Sequence, residues 1–143
     1  MFAAWLGLAN SYSMAGKYKQ AYETIKEAIA LDPHNGQAKI SRKYIILGYA
    51  NYVGSDQQDF EKALALLDEN LVNDAEDQDS RMLQGSMLMR AKKYEEALAS
   101  FNKLKSKTNS LIQQSLVLHL SGKTQAAYLL ADSANRIPVE DPQ

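Results

Sequence analysis

The sequence contains no cysteine, which excludes a disulfide staple, a thiol nucleophile, a paired-cysteine redox motif and a thiolate zinc site. A reducing and an oxidising compartment suit it equally. Its two histidines, His34 and His119, stand too far apart in sequence to build a histidine-rich metal site. Neither sign of charge predominates: 16 Lys and Arg face 17 Asp and Glu, so no long-range field gathers nucleic acid or anionic lipid. Long apolar runs are missing too. Residues Met1 to Gly16 lack the basic start of an export signal and include Asn10, Ser11, Tyr12 and Ser13. Residues Thr108 to Gly122, with Gln113, Gln114 and His119 among them, fall short of the roughly 20 apolar residues that a bilayer crossing needs. Both stretches read as amphipathic helices against a core. With only 7 glycines, 3 prolines and a 45% hydrophobic share in 143 residues, the chain reads as one globular domain. At this length it buries about two-thirds of its unfolded surface without metal or disulfide.

Apolar residues return every three or four positions, as in Tyr22, Ile25, Ala28 and Ile29 or Leu98, Phe101 and Leu104, and no useful stretch alternates with period two. That pattern predicts an all-α chain. Breakers at Gly16, Asp32 to Gly36, Gly54 to Asp59, Asn73 to Asp79, Lys92, Ser106 to Asn109 and Gly122 cut it into eight pieces, each of about 11 to 17 residues. The second piece of each pair opens similarly, with Tyr18 before Ala21, Phe60 before Ala63, Tyr94 before Ala97, and Thr124 before Ala127. Those alanines are 42, 34 and 30 residues apart. A period of this size marks stacked helix-turn-helix units, none able to bury its apolar face without a neighbour.

These residues resemble the tetratricopeptide repeat. The first unit carries Trp5, Leu8, Ala9, Tyr12, Gly16, Tyr18, Ala21, Ile25, Ala28 and the stop Leu31-Asp32-Pro33. Small residues stand where paired helices approach closely, and aromatics fill the space between them. The third unit matches through Gly85, Leu88, Tyr94, Ala97, Phe101 and Leu104, although Arg81 and Gln84 occupy places that suit large apolar residues. The second is stretched by eight residues, and its first helix phases either on Ile40, Tyr44 and Leu47 or on Tyr44, Leu47 and Gly48. The fourth is short and degenerate. The resemblance implies an α-α superhelix of about four antiparallel pairs, a solenoid with units at 2–35, 36–74, 75–108 and 109–136. Residues 137–143 read as a loose extension. The ends expose apolar helices, so either the protein is longer or these faces meet a partner; self-association through the terminal helices is expected.

No catalytic motif is present: GxGxxG, GxxxxGK[ST], HExxH and GxSxG are all missing. The acidic run Asp74, Glu76, Asp77 and Asp79 lacks the sixth-position glycine and closing glutamate of a calcium loop and reads as first-turn acids on a helix dipole. The lysines around Arg90 and Lys103 to Lys107 read as helix ends, with no interleaved aromatics to stack on bases. His119, among Leu116, Leu118 and Leu120, has no neighbouring base or carboxylate and reads as a packing residue. No enzyme, metal or cofactor is expected.

The family resemblance implies that the first helix of each pair grips a peptide or an amphipathic helix of a partner. By register, those positions fall at Leu6, Asn10, Ser13 and Met14 in unit one, and at Ser41, Arg42, Ile45 and Tyr49 in unit two under one of its phases. They fall at Met82, Ser86, Met89 and Arg90 in unit three, and at Ile112, Gln113, Leu116 and His119 in unit four. Asn10 matches the asparagine that bonds a bound peptide backbone in this family. Leu6 and Met14 replace the basic residues of its carboxylate clamp, which disfavours a chaperone-tail ligand. The remaining surface is apolar and methionine-bearing, suited to varied helical partners; the alternative is that neighbouring segments of the chain fill it. The order of a strong first unit, a stretched second and a degraded fourth resembles the repeat domain of bacterial cytochrome c maturation proteins, which implies a periplasmic assembly factor. A cytosolic secretion or pilus-assembly chaperone of the same fold is the competing reading.

Overall fold

A computed structural model describes residues 1–138; of the expected C-terminal extension, residues 139–143 lie outside the described residues. The described residues form eight helices and no strand: α1 (Phe2–Met14), α2 (Tyr18–Leu31), α3 (Gly36–Ser55), α4 (Phe60–Asn73), α5 (Gln78–Arg90), α6 (Tyr94–Asn102), α7 (Lys107–Leu120) and α8 (Thr124–Asn135). They pack pairwise as α1 with α2, α3 with α4, α5 with α6 and α7 with α8. The breakers read from the sequence therefore separate real helices, but the lengths run from 9 residues in α6 to 20 in α3. The surplus of the second unit lies almost wholly in α3. The chain divides after Ala75 into two compact units.

Three of the four intra-pair turns are built alike. Gly16, Lys92 and Gly122 adopt left-handed backbone, with φ of 75°, 61° and 87°. The following N–H groups of Lys17, Lys93 and Lys123 then donate back to the carbonyls of Tyr12, Leu88 and Leu118 at 2.8–2.9 Å. This closure satisfies carbonyls that the helix end leaves open, and glycine enters it without a Cβ clash. Between pairs the chain uses side-chain caps: Asn35 Oδ1 accepts from the N–H groups of Gln37 and Ala38 at 3.0 and 3.1 Å, and Ser106 Oγ accepts from Asn109 N at 3.3 Å.

In the first unit, Ala9, Ala21, Ile25, Ala28 and Ile45 form the core, with Phe2, Trp5, Leu6, Tyr12, Tyr22 and Ile29 packed around them. Alanine at the crossing points brings the helix axes close, and the flanking aromatics cover the seam. Helix α2 also lies on α3. There the Tyr22 and Tyr49 rings stand 5.6 Å apart, as do those of Tyr18 and Tyr52, and Tyr18 occupies the space that a Cβ at Gly48 would need.

Helix α3 does not follow either phase suggested by its apolar spacing. Its buried residues are Ala38, Ile45, Ile46, Tyr49, Ala50, Val53 and Gly54, whereas Ile40 and Tyr44 are exposed and Leu47 is half-buried. Apolar residues nearly encircle this helix, so hydrophobic periodicity alone could not choose a face.

In the second unit, Gly85 lets the fully buried Phe101 ring lie against the α5 backbone; a Cβ there would overlap the ring. Arg81 and Gln84, polar at places suited to apolar residues, are absorbed by hydrogen bonds. Arg81 Nη1 donates to Gln84 Oε1 at 3.2 Å, and Ser100 Oγ donates to the same oxygen at 2.7 Å. Helix α5 buries Ser80, Gly85, Met87 and Leu88, with a polar seam beside them in place of an apolar one. The last pair lies close together but buries small side chains: the buried residues of α8 are Ala127 and Ala134. Its seam is tied by Ser115 Oγ donating to the Ala127 carbonyl at 2.6 Å.

Candidate functional site

With α3 in its observed register, a short internal repeat becomes visible. Leu6-Gly7-Leu8-Ala9-Asn10 in α1 is matched by Leu47-Gly48-Tyr49-Ala50-Asn51 in α3. Both alanines are fully buried, so the two segments present the same sides to their surroundings. Asn10 and Asn51 thus occupy equivalent places on two first helices that touch one another. Asn51 is exposed and Asn10 half-buried; the Asn51 carboxamide oxygen accepts from Ser55 Oγ at 3.3 Å. On α3 the same stripe carries Ile40, Tyr44 and Leu47, four and three residues apart, and Tyr44 is 57% exposed. Asn51 was not among the residues singled out by periodicity. The signal for it was the pentapeptide repeat, hidden by the greater length of α3.

The other residues expected on partner-gripping faces fall into two groups. Leu6 and Asn10 lie on α1 in line with Met14, which is 91% exposed. On α5, Met82 and Met89 are half-buried and Arg90 is exposed; Ser86, between them, donates from Oγ to the Met82 carbonyl at 3.0 Å. On α7, His119 is exposed beside a stripe of Ile112, Leu116 and Leu120, each also exposed. Near the start of α5 and α7 a depression of about 360 Å³ is lined by Asp79, Met82, Leu104 and Asn109, among others.

Tyr49, Arg42 and Gln113 lie elsewhere. Tyr49 is only 6% exposed, because its ring packs on Tyr22 of α2 and the Lys62 ammonium of α4 lies 5.1 Å from its centroid. Ile45, one turn earlier, is likewise core. Arg42 is half-buried four residues before fully buried Ile46, and Gln113 is half-buried four residues before fully buried Val117. Each therefore follows the packed side of its helix.

Behind Tyr49, a furrow of about 280 Å³ runs between α2 and α4, lined by Lys19, Tyr22, Glu23, Lys62, Leu66 and Glu69 as well. The Tyr22 hydroxyl donates to Glu69 Oε2 at 2.6 Å, and Lys26 Nζ stands 4.0 Å above the Tyr22 ring. Burial, then the bond to Glu69, raises the Tyr22 pKa above its ordinary value. The furrow's polar groups are thus largely committed to one another. Among the described residues, no three side chains converge as a metal site, and no helix is long and apolar enough to cross a membrane.

Two tetratricopeptide repeat models match the sequence, one over residues 2–35 and one over 55–110, together well over half of the chain. The chain belongs to the tetratricopeptide repeat family. This repeat protein is a protein-interaction scaffold, the role for which the repeat is an interaction module. No curated protein matches its sequence. Among solved structures it is similar to MamA AMB-1, with a TM-score of 0.66 and 17% identity over 96% of this chain and 73% of that one. It is also similar to MamA MSR-1, with a TM-score of 0.63 and 17% identity over 94% and 75% of the two chains. At such identity the likeness is one of fold, the helix-pair solenoid expected from the sequence.

Proposed function

We propose that the tetratricopeptide repeat protein is a non-catalytic adaptor that holds a segment of another protein on its first-helix faces. The observation that carries this reading is the equivalence of Asn10 and Asn51 on adjoining helices of the first unit. Two carboxamides at one register offer donors and acceptors to successive groups of an extended backbone, while Leu6, Leu47 and Tyr44 supply apolar contact around them. In the second unit, Ile112, Leu116 and Leu120 form an apolar stripe on α7, and Met82 and Met89 add adaptable contacts on α5. Arg90 and His119 edge these faces as polar anchors.

The sharper version is an assembly factor in bacterial cytochrome c maturation, supported by the order of a complete first pair, a lengthened second and a last pair degenerate in sequence. A secretion or pilus-assembly chaperone is the alternative. Binding of an apocytochrome C-terminal helix, against binding of a secreted client, separates the two.

Peptides selected against the whole chain by display provide the test. The double variant Asn10→Ala, Asn51→Ala is expected to weaken their binding about tenfold, the worth of one or two net hydrogen bonds, with an unchanged melting temperature. Equal affinity in wild type and variant would remove the two asparagines from the binding face.

A further inference from the structure

The chain as a whole is nearly neutral, with 16 cationic against 17 acidic residues, but its helices are not. In the first unit, α1 has no charged residue, and α3 has Lys39, Arg42 and Lys43 with no Asp or Glu along its length. The second helices of that unit, α2 and α4, carry Glu23, Glu27, Glu61, Asp68 and Glu69 against Lys19, Lys26 and Lys62. The second unit, taken by itself, is sorted the same way. Its first helices, α5 and α7, hold Arg81, Arg90 and Lys107 against Asp79. The charged residues of α6 and α8 are the acids Glu95, Glu96 and Asp132. Positive charge thus gathers on the helices that carry the interaction faces, where it draws in a partner of opposite sign.

The cations of α3 stand where folding alone would not put them. The first turn has no acid, and Lys39 is the fourth residue of the helix, near the end at which the helix dipole disfavours a positive charge. Lys43 follows one turn later, so two like charges are neighbours at the spacing that lowers helix stability. Both run alongside the apolar stripe. Lys39 precedes Ile40 and Lys43 precedes Tyr44, and the Lys43 ammonium stands 5.2 Å from the Tyr44 ring centroid. Ile40 and Tyr44 are both exposed. An apolar stripe edged by cations, on a helix without acids, complements a segment that carries carboxylates beside its apolar residues.

We propose that the segment held on the first-helix face of the first unit is acidic, with Asp or Glu side chains interleaved among apolar ones. Lys39 and Lys43 receive its carboxylates, while Ile40, Tyr44 and Leu47 receive its apolar side chains. This rests on the reading of that face as the binding surface and adds the chemistry of what it binds. The two lysines lie one turn, about 6 Å, apart along the helix, so two acidic side chains meet them and a single terminal carboxylate does not.

Peptides selected against the whole chain by display at low salt are expected to be enriched in Asp and Glu over Lys and Arg, and to bind several-fold more weakly as added salt screens the charges. Lys39→Glu, at an exposed site, should weaken their binding about threefold to tenfold at low salt and reduce the salt dependence. It should melt no lower than wild type, because it turns a repulsion with Lys43 into an attraction; a residue that served only the fold would not lose binding while keeping stability. Amidating the peptide's C-terminus should leave affinity unchanged. Peptides that bind through Asn10 and Asn51, as shown by loss of affinity in the double alanine variant, but have no acidic enrichment or salt dependence would overturn the proposal and leave the adaptor reading standing. Loss of affinity on amidation would overturn it in favour of a terminal carboxylate. Peptides indifferent to the double variant would remove the asparagine face and this inference together.

Discussion

At the scale of single residues, small side chains decide the packing. Ala9, Ala21 and Ala28, read from the sequence as close-approach points, are all fully buried, and so is Ala97. Gly85 is the strictest of these sites, because the Phe101 ring fills the place of its Cβ. Gly85→Ala should lower stability by about 1–3 kcal/mol through overpacking, measurable by urea unfolding. Lys92 shows the opposite opportunity. It takes left-handed backbone at φ 61° where two other turns have glycine, so Lys92→Gly should raise stability by about 1 kcal/mol. Tyr22 links residue chemistry to pH. Its raised pKa means that the folded state holds the phenolic proton more tightly than the unfolded state. The resulting stability is complete below the ordinary tyrosine pKa and declines as pH rises through the folded value. Alkaline melts should therefore show a steeper loss for wild type than for Tyr22→Phe. What the sequence could not disclose at this scale was the fate of Tyr49. Its burial depends on Tyr22 across the α2–α3 seam, a partner 27 positions away that no local pattern names.

At the scale of elements, α3 holds the main difference between expectation and structure. The breakers gave every helix, since Pro33, Gly16 and Gly122 act through local backbone geometry that is readable without tertiary knowledge. The buried side of α3 was a different matter. Ile40, Tyr44 and Leu47 compete with Ala38, Ile45 and Ile46 for the same role, and only contacts with α2 and α4 decide between them. The identity of Leu6-Gly7 and Ala9-Asn10 with Leu47-Gly48 and Ala50-Asn51 carries that information in the sequence, because equal neighbours require equal small residues. Two experiments belong here. Asn35→Ala should cost about 1 kcal/mol by removing the α3 cap, read from the unfolding midpoint. Met89→Glu should weaken binding of peptides that contact the α5 face while leaving the melting temperature nearly unchanged; unaltered affinity would take α5 out of the binding surface.

At the scale of the whole molecule, stability in a repeat protein is a sum of unit and neighbour terms, and the chain divides into two compact units after Ala75. Amide exchange should therefore show Gly85→Ala loosening α5 to α8 more than α1 to α4. The division was not legible from the roughly even spacing of helix pairs, which marks pairs and not the strength of their association. The family and its solenoid fold were legible, because a nearly complete first unit fixes both. In the proposed binding mode, equivalent asparagines on α1 and α3 hold a partner's backbone. The most direct measurement is an NMR titration of the labelled chain with a display-selected peptide, following side-chain carboxamide signals. Asn10 and Asn51 are predicted to shift together and saturate at one peptide concentration. Asn70, whose amide donates to the Lys43 carbonyl at 3.1 Å, should stay in place. Shifts confined to the furrow between α2 and α4, with both Asn10 and Asn51 unmoved, would rule out that binding mode.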